Sequence, residues 1–359
     1  MTRREILLGG PVFALRQGKL DDAVRLIGAQ TASGQVAAAT LFVQSGSTVF
    51  QRAFGKAPNS DAVFLLASIT KPMTVTGLMI LIDRGQVSLS DPVHKFIPEF
   101  RGEGRERVLV RHLLTHTSGL PDMLPENETL RKRHAPLSDF VAGTCRTPLL
   151  FAPGSELRYQ SMGILLAAEI AVRVTKQALP EFLREHVYQP LGMRNTSLGL
   201  GGRAISQTML SQVDEVTDWD WNSPYWRNLA SPWGGAHSTV NDVARFLQYF
   251  AHPDNRVLKP ETASSMIKNQ TPGLKRRWGF GWMVNDGKFG KGCSPATFGH
   301  SGSTGTLCWL DPKTQLSFVL LTTKPAVHSN KTLLSPVSDL VSRYASPARQ
   351  LDTASEVRR

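Results

Sequence analysis

Ser68-Ile69-Thr70-Lys71 sets a hydroxyl and an amine three residues apart, between the apolar stretch Val63-Phe64-Leu65-Leu66-Ala67 and the apolar segment Thr76 to Ile82. On a helix such residues share a face, which puts Lys71 Nζ within hydrogen-bond reach of Ser68 Oγ. A serine hydroxyl is a weak nucleophile until a neighbour takes its proton, and a lysine desolvated among apolar side chains can lose its charge and do so. Pro72 cannot donate a backbone hydrogen bond, which suits a helix beginning about here with Ser68 at its positive end. By itself the pattern is weak, since two fixed residues in four recur by chance roughly once in a chain of this size. Ser265-Met266-Ile267-Lys268 is such a recurrence, and Tyr344-Ala345-Ser346 follows it.

The company each pair keeps separates them. After Ser68 come Tyr159-Gln160-Ser161, preceded by Phe151-Ala152-Pro153-Gly154, and then Gly299-His300-Ser301-Gly302-Ser303-Thr304-Gly305. No third element follows Tyr344. Serine, tyrosine and a glycine-bearing strand motif in that order resemble the serine β-lactamase superfamily of the class C type, which includes family VIII carboxylesterases and D-alanyl-D-alanine carboxypeptidases. Val110 to Leu120, Pro190 to Ser197, Gly234-Gly235 with Ser238-Thr239, and Trp278-Gly279-Phe280-Gly281-Trp282 resemble that family's linking segments in family order. The resemblance covers roughly residues 20 to 345.

It implies an acyl-enzyme on Ser68, with Lys71 as its partner and Tyr159 as proton shuttle. A phenol with a pKa of about 10 becomes a base only when a cation favours its phenolate, and Lys71 is the expected cation. The resemblance also implies an oxyanion hole of two backbone N–H groups, from Ser68 and Ser303. Ser161, His300 and Gly302 are the expected substrate contacts. Two positions depart from the lactamase pattern: Ser161 replaces an Asn, and His300 replaces a Lys. A serine hydroxyl offers fewer contacts to an amide than Asn does. A histidine titrating near about 6.5 is mostly neutral at pH 7, where lysine carries a permanent charge for a substrate carboxylate. Both changes weaken the case for a carboxylate-bearing lactam and resemble esterase and peptidase members, so carboxylic ester hydrolysis is expected ahead of a β-lactamase or a D-alanyl-D-alanine carboxypeptidase or D-aminopeptidase-type hydrolase. The expected partner is a small-molecule ester, lactam or amide. A non-catalytic binding protein on the same fold would have no reason to keep Ser68, Lys71 and Tyr159 together.

With 359 residues, 41% of them hydrophobic, the chain is long enough to bury a substantial core as one enzyme-sized unit. Its net charge of +12 could suit nucleic acid or an anionic membrane. The basic residues are scattered, however, in Arg131-Lys132-Arg133, Lys275-Arg276-Arg277 and the tail ending Arg358-Arg359, with no nucleic-acid motif, so a solvated basic surface is expected. Cys145, Cys293 and Cys308 are too few and dispersed for a metal site; free thiols are expected, with a Cys293–Cys308 bridge as the alternative. His112 and His116 are one turn apart but lack the glutamate of a metalloprotease signature, so they read as structural. No cofactor or metal is called for. There is no Gly-x-Ser-x-Gly elbow. Arg3-Arg4 before Ile6 to Leu15 faintly resembles a twin-arginine export signal. The apolar run is short and Arg16 follows without a cleavage site, which favours a cytoplasmic location over export. No segment approaches the roughly 20 apolar residues of a membrane span.

These residues need elements to position them. Leu20, Val24 and Ile27 recur at helical spacing, which predicts an amphipathic helix over about 20–31. Ala38 to Val43 and Thr48 to Phe54 predict a β-hairpin across Gln44-Ser45-Gly46-Ser47. Helices are expected over Leu137 to Ala142 and Gly163 to Val174, and strands over Thr306 to Leu310 and Leu316 to Thr323, split by Asp311-Pro312-Lys313. A closing helix should place Leu334, Val337, Val341 and Tyr344 on one face. The fold class is α/β (α+β): an antiparallel sheet built from both chain ends and flanked by helices, with an inserted helical domain. The expected division is 18–85 with 230–348 for the sheet domain and 86–229 for the helical domain, with 1–17 and 349–359 as peripheral tails. A cleft between the two would hold the ligand. Trp219, Trp221, Tyr225, Trp226 and Trp233 crowd one segment, read either as a loop pinned to the core or as an aromatic wall beside the nucleophile, with Trp233 as a substrate contact.

Overall fold

The computed structural model describes residues 17–285 and 287–343, so the twin-arginine-like segment and Tyr344-Ala345-Ser346 lie outside the described residues. Nine strands are assigned among them: β1 (Ala38–Ser45), β2 (Thr48–Gly55), β3 (Phe64–Leu65), β4 (Ser197–Leu198), β5 (Ala236–Ser238), β6 (Met283–Val284), β7 (Phe298–Gly302), β8 (Thr306–Asp311) and β9 (Leu316–Thr322). Six form an antiparallel sheet in the order β2-β1-β9-β8-β7-β6, and β3, β5 and β4 form a small second sheet. The pairing of β1 with β9, with Leu41 opposite Leu320, joins the two ends of the chain. The hairpin loop is shorter than expected: Ser45 pairs with Thr48, leaving only Gly46 and Ser47 to turn, and Gly46 takes the positive φ (57°) that such a loop needs.

Alternation along the strands sends side chains to both faces. Ala39, Leu41 and Val43 of β1 pack with Leu20, Ala23 and Ile27 of helix α1 (Gln17–Ala32) and with Leu334, Val337 and Val341 near the C-terminus. Ala38 and Phe42 face the larger core, with Phe298, Leu310, Val319 and Leu321. The closing helical stretch is broken by a wider turn at Asn330–Leu334 before its last helix, Ser335–Ser342, yet Leu334, Val337 and Val341 still share one buried cluster. Tyr344, expected on the same face, falls outside the described residues.

The segment that carries Ser68 and Lys71 sits at the centre of the larger core. Helix α2 (Thr70–Asp83) follows a single 3-10 turn at Ala67–Ile69, and every residue from Thr70 to Leu81 is buried, as expected of a helix apolar all round. The helix expected around Gly163 runs Met162–Thr175 and packs on α2, and the one expected around Leu137 runs Leu137–Arg146 and packs on Met162–Thr175 in turn. Gly77 lets the Leu183 side chain close on α2, since a Cβ there would stand 2.8 Å from Leu183 Cδ2. Among the described residues no helix is long and apolar enough to cross a membrane. Cys145, Cys293 and Cys308 are all free thiols.

Candidate active site

Ser68 stands just ahead of α2 on a strained elbow. Ala67 has φ 48°, a left-handed conformation that costs an L-residue roughly 1–2 kcal/mol. Three hydroxyls hold the elbow. Thr304 Oγ1 donates to the Leu65 carbonyl (2.7 Å), Thr306 Oγ1 to Leu66 (2.8 Å) and Thr70 Oγ1 to Ala67 (2.6 Å). The amide of Ala236 donates in turn to Thr70 Oγ1 (3.0 Å). The last residue of β7, Gly302, is pressed against this elbow. A Cβ there would lie 2.2 Å from the Leu66 carbonyl oxygen and 2.3 Å from Thr306 Oγ1, so only glycine fits.

Lys71 is fully buried below Ser68, with Nζ 3.0 Å from Ser68 Oγ and 3.1 Å from the Trp233 carbonyl, and 4.7 Å above the Tyr159 ring centre. Burial favours the neutral amine and pulls its pKa from 10.5 to about 7, with the charge of Asp122 opposing the fall. At neutral pH the amine and ammonium forms are therefore both populated. As an ammonium Lys71 donates to Ser68 Oγ; as an amine it has a lone pair with which to accept a hydrogen bond there.

Tyr159 differs from expectation. Its hydroxyl bonds to Ser68, which pulls its pKa down, but burial dominates and pushes it well above the ordinary phenol range. Lys71 does not turn Tyr159 into a phenolate; the buried amine itself is the group poised near neutrality. Around Tyr159 pack His116 (ring centres 4.7 Å apart), Trp278 (5.8 Å) and His300 (6.1 Å). Gln160 N–H donates to His116 Nδ1 (3.3 Å) and Leu109 N–H to His112 Nδ1 (3.1 Å), so both histidines tie backbone together.

His300 also departs from its expected behaviour. It is buried on β7, and burial, then the nearby Lys71 charge, lower its pKa to about 3. Its Nδ1 bonds the Ser301 carbonyl at 2.8 Å. The expected gain of charge near pH 6.5 is overturned because protonation would bury a second cation beside Lys71.

A cavity of about 1030 Å³ collects Ser68, Tyr159, Ser161, His300, Gly302 and Ser303. The aromatic segment divides. Trp221 and Trp226 line the cavity, Trp219 lies against the Arg131 guanidinium (4.9 Å), and Tyr225 donates its hydroxyl to Ala135 (2.9 Å). The Trp233 indole is buried against Phe140 and Trp226, away from the cavity; its contribution to the site is the carbonyl that holds Lys71. Ser161 does not turn its hydroxyl to the cavity as a free donor, because Oγ donates to Asp122 Oδ1 at 2.6 Å. Asp122 was missed from sequence: it lies two residues beyond the Val110 to Leu120 segment, but nothing in its spacing pairs it with Ser161. The second Ser-x-x-Lys is not assembled. Ser265 Oγ donates to Thr262 (2.7 Å), Lys268 is exposed, and neither lines the cavity.

This sheet, backed by helices on both faces and with an amine buried beneath a serine hydroxyl, places the protein among the serine hydrolases that share the β-lactamase fold. It belongs to the Beta-lactamase family, whose model matches residues 23–337. Among curated relatives, a putative D-alanyl-D-alanine carboxypeptidase of Escherichia coli O157:H7 is 26% identical, covering 89% of this chain and 84% of its own length. The esterase EstB of Burkholderia gladioli is 28% identical over 76% of this chain and 80% of its own. Among solved structures, EstCE1, a hydrolase with promiscuous acyltransferase activity, superposes with a TM-score of 0.76 at 21% identity, covering 92% of this chain and 100% of its own, a likeness of fold.

Proposed function

We propose that the protein hydrolyses small or medium carboxylic esters through an acyl-enzyme on Ser68. The observation that carries this is the buried Lys71 amine, with a pKa of about 7, 3.0 Å from the serine oxygen. The amine takes the Ser68 proton as Oγ attacks the ester carbonyl, and the backbone N–H groups of Ser68 and Ser303 stabilise the oxyanion. The C–O bond to the alcohol then breaks, and the leaving alkoxide takes the Tyr159 proton while the Lys71 ammonium restores it. For deacylation, water gives its proton to the same pair as it attacks the acyl carbonyl, and Ser68 is released with its hydroxyl restored.

An ester is favoured over a carboxylate-bearing lactam by two features: His300 is a neutral buried imidazole, and Ser161 presents a carboxylate, Asp122, in place of a free donor. The similarity to EstB accords with this, while the carboxypeptidase relative keeps D-alanyl peptides as the competing substrate. Release from p-nitrophenyl esters should exceed that from nitrocefin and D-alanyl-D-alanine peptides. Ser68→Ala should abolish turnover and fluorophosphonate labelling, whereas Ser265→Ala should change neither. Labelling of the Ser68→Ala protein at Ser265 would refute the assignment.

A further inference from the structure

Beside the nucleophile the cavity wall carries a negative charge that the proposed chemistry does not use. Ser161 is locked to Asp122 twice, by its hydroxyl (2.6 Å to Oδ1) and by its amide (3.2 Å to the Asp122 carbonyl). Gln160 fixes the same junction, accepting from Ser118 Oγ (2.6 Å) and donating to the His112 carbonyl (3.2 Å). The carboxylate is thus held in place rather than on a free loop. Asp122 is exposed and lines the cavity with Ser68, Tyr159 and Ser161.

Among the described residues no lysine or arginine forms an ion pair with Asp122, and its Oδ2 has no donor. Lys71 feels its charge, but Lys71 Nζ is directed to Ser68 and Trp233. Across the cavity His300 adds no positive charge, and although Arg131, Arg276, Lys288 and Lys291 also line the cavity, none of them pairs with Asp122, whose charge is the one felt at Lys71 beside Ser68. A fixed, unpaired carboxylate close to the reacting centre is complementary to a cation and repels an anion.

We infer that Asp122 is a substrate-recognition residue that selects esters or amides bearing an ammonium group near the scissile carbonyl, such as amino-acid esters, and rejects those bearing a carboxylate there. This rests on the reading of Ser68 as the nucleophile of an ester hydrolase and names its substrate class. Asp122 Oδ2 accepts from the ammonium, while Oδ1 stays with Ser161.

Three ethyl esters differing in charge test it: alanine ethyl ester, its N-acetyl derivative and monoethyl succinate. The parent should favour the free amine over the N-acetyl ester by about tenfold in kcat/KM, mainly through KM, and should turn over the succinate poorly. Asp122→Asn keeps an acceptor for Ser161 and should bring the amine to N-acetyl ratio close to one. If that ratio is unchanged, or if all three esters lose the same factor in kcat at constant KM, Asp122 is a positioning residue for Lys71 and the inference fails. Should the parent cleave no ester, ester hydrolysis itself is refuted. Calorimetry then still decides the inference. Ser68→Ala should bind alaninamide at least about fivefold more tightly than N-acetylalaninamide, and the added Asp122→Asn change should remove that preference. Equal affinities in the single variant would overturn it.

Discussion

Replacing Lys71 by methionine should change how stability responds to pH as well as ending turnover. Burial lowers the Lys71 pKa from 10.5 to about 7, a difference worth about 5 kcal/mol between its two protonation states. Between these values the unfolded chain holds the proton and the folded protein releases it. Stability therefore rises with pH in that window and is flat below it. From pH 7 to pH 9 this one group should add about 2 kcal/mol to the parent's unfolding free energy. Lys71→Met removes the group. His116 and His300, which face Lys71, are held neutral by burial throughout this range and do not mask the effect. Urea unfolding of parent and variant at pH 7 and pH 9 gives the difference of differences, in which the other titrations cancel. The methionine variant should lead at pH 7, and the gap should shift toward the parent by about 2 kcal/mol at pH 9. A gap constant to within about 0.5 kcal/mol would show that Lys71 keeps an ordinary pKa and would remove the basis for calling it the base. In the parent, kcat/KM should rise through about pH 7 as the amine loses its proton.

Tyr159→Phe retains the ring beneath Lys71 and removes the proposed proton carrier, so kcat on p-nitrophenyl esters should fall about a hundredfold or more, and a loss within threefold would discount that role. Because burial holds His300 at about 3, the ratio of ester to cephalosporin hydrolysis should be flat from about pH 5 to 8; a step near about 6.5 would mean that His300 does gain charge there. Gly302→Ala drives a methyl into the Leu66 carbonyl and Thr306 Oγ1, and should cost about 1–3 kcal/mol of stability together with a large loss in kcat. Near-parent values in thermal unfolding and initial-rate assays would show that β7 and the elbow move apart freely.

What could be read from sequence is what repeats locally. The three-residue spacing of Ser68 and Lys71 determines that their side chains meet on one side of the turn that enters α2, and two-residue alternation determines which side chains of β1, β8 and β9 enter each core. Motif order then identified Tyr159, His300 and Gly302 as companions of Ser68, and the cavity does gather all three. Tertiary structure decided the rest, because burial and long-range contact leave no period in a sequence. The low pKa of Lys71 follows from a fully buried helix, and that of His300 from its place on β7 beside that lysine. Trp233 read as an aromatic contact, yet packing buries its indole and directs its carbonyl to an amine 162 residues away. Ser161 read as a donor to substrate, until the folded chain set its hydroxyl on Asp122, a partner 39 residues distant, and so put a carboxylate where a free donor was expected.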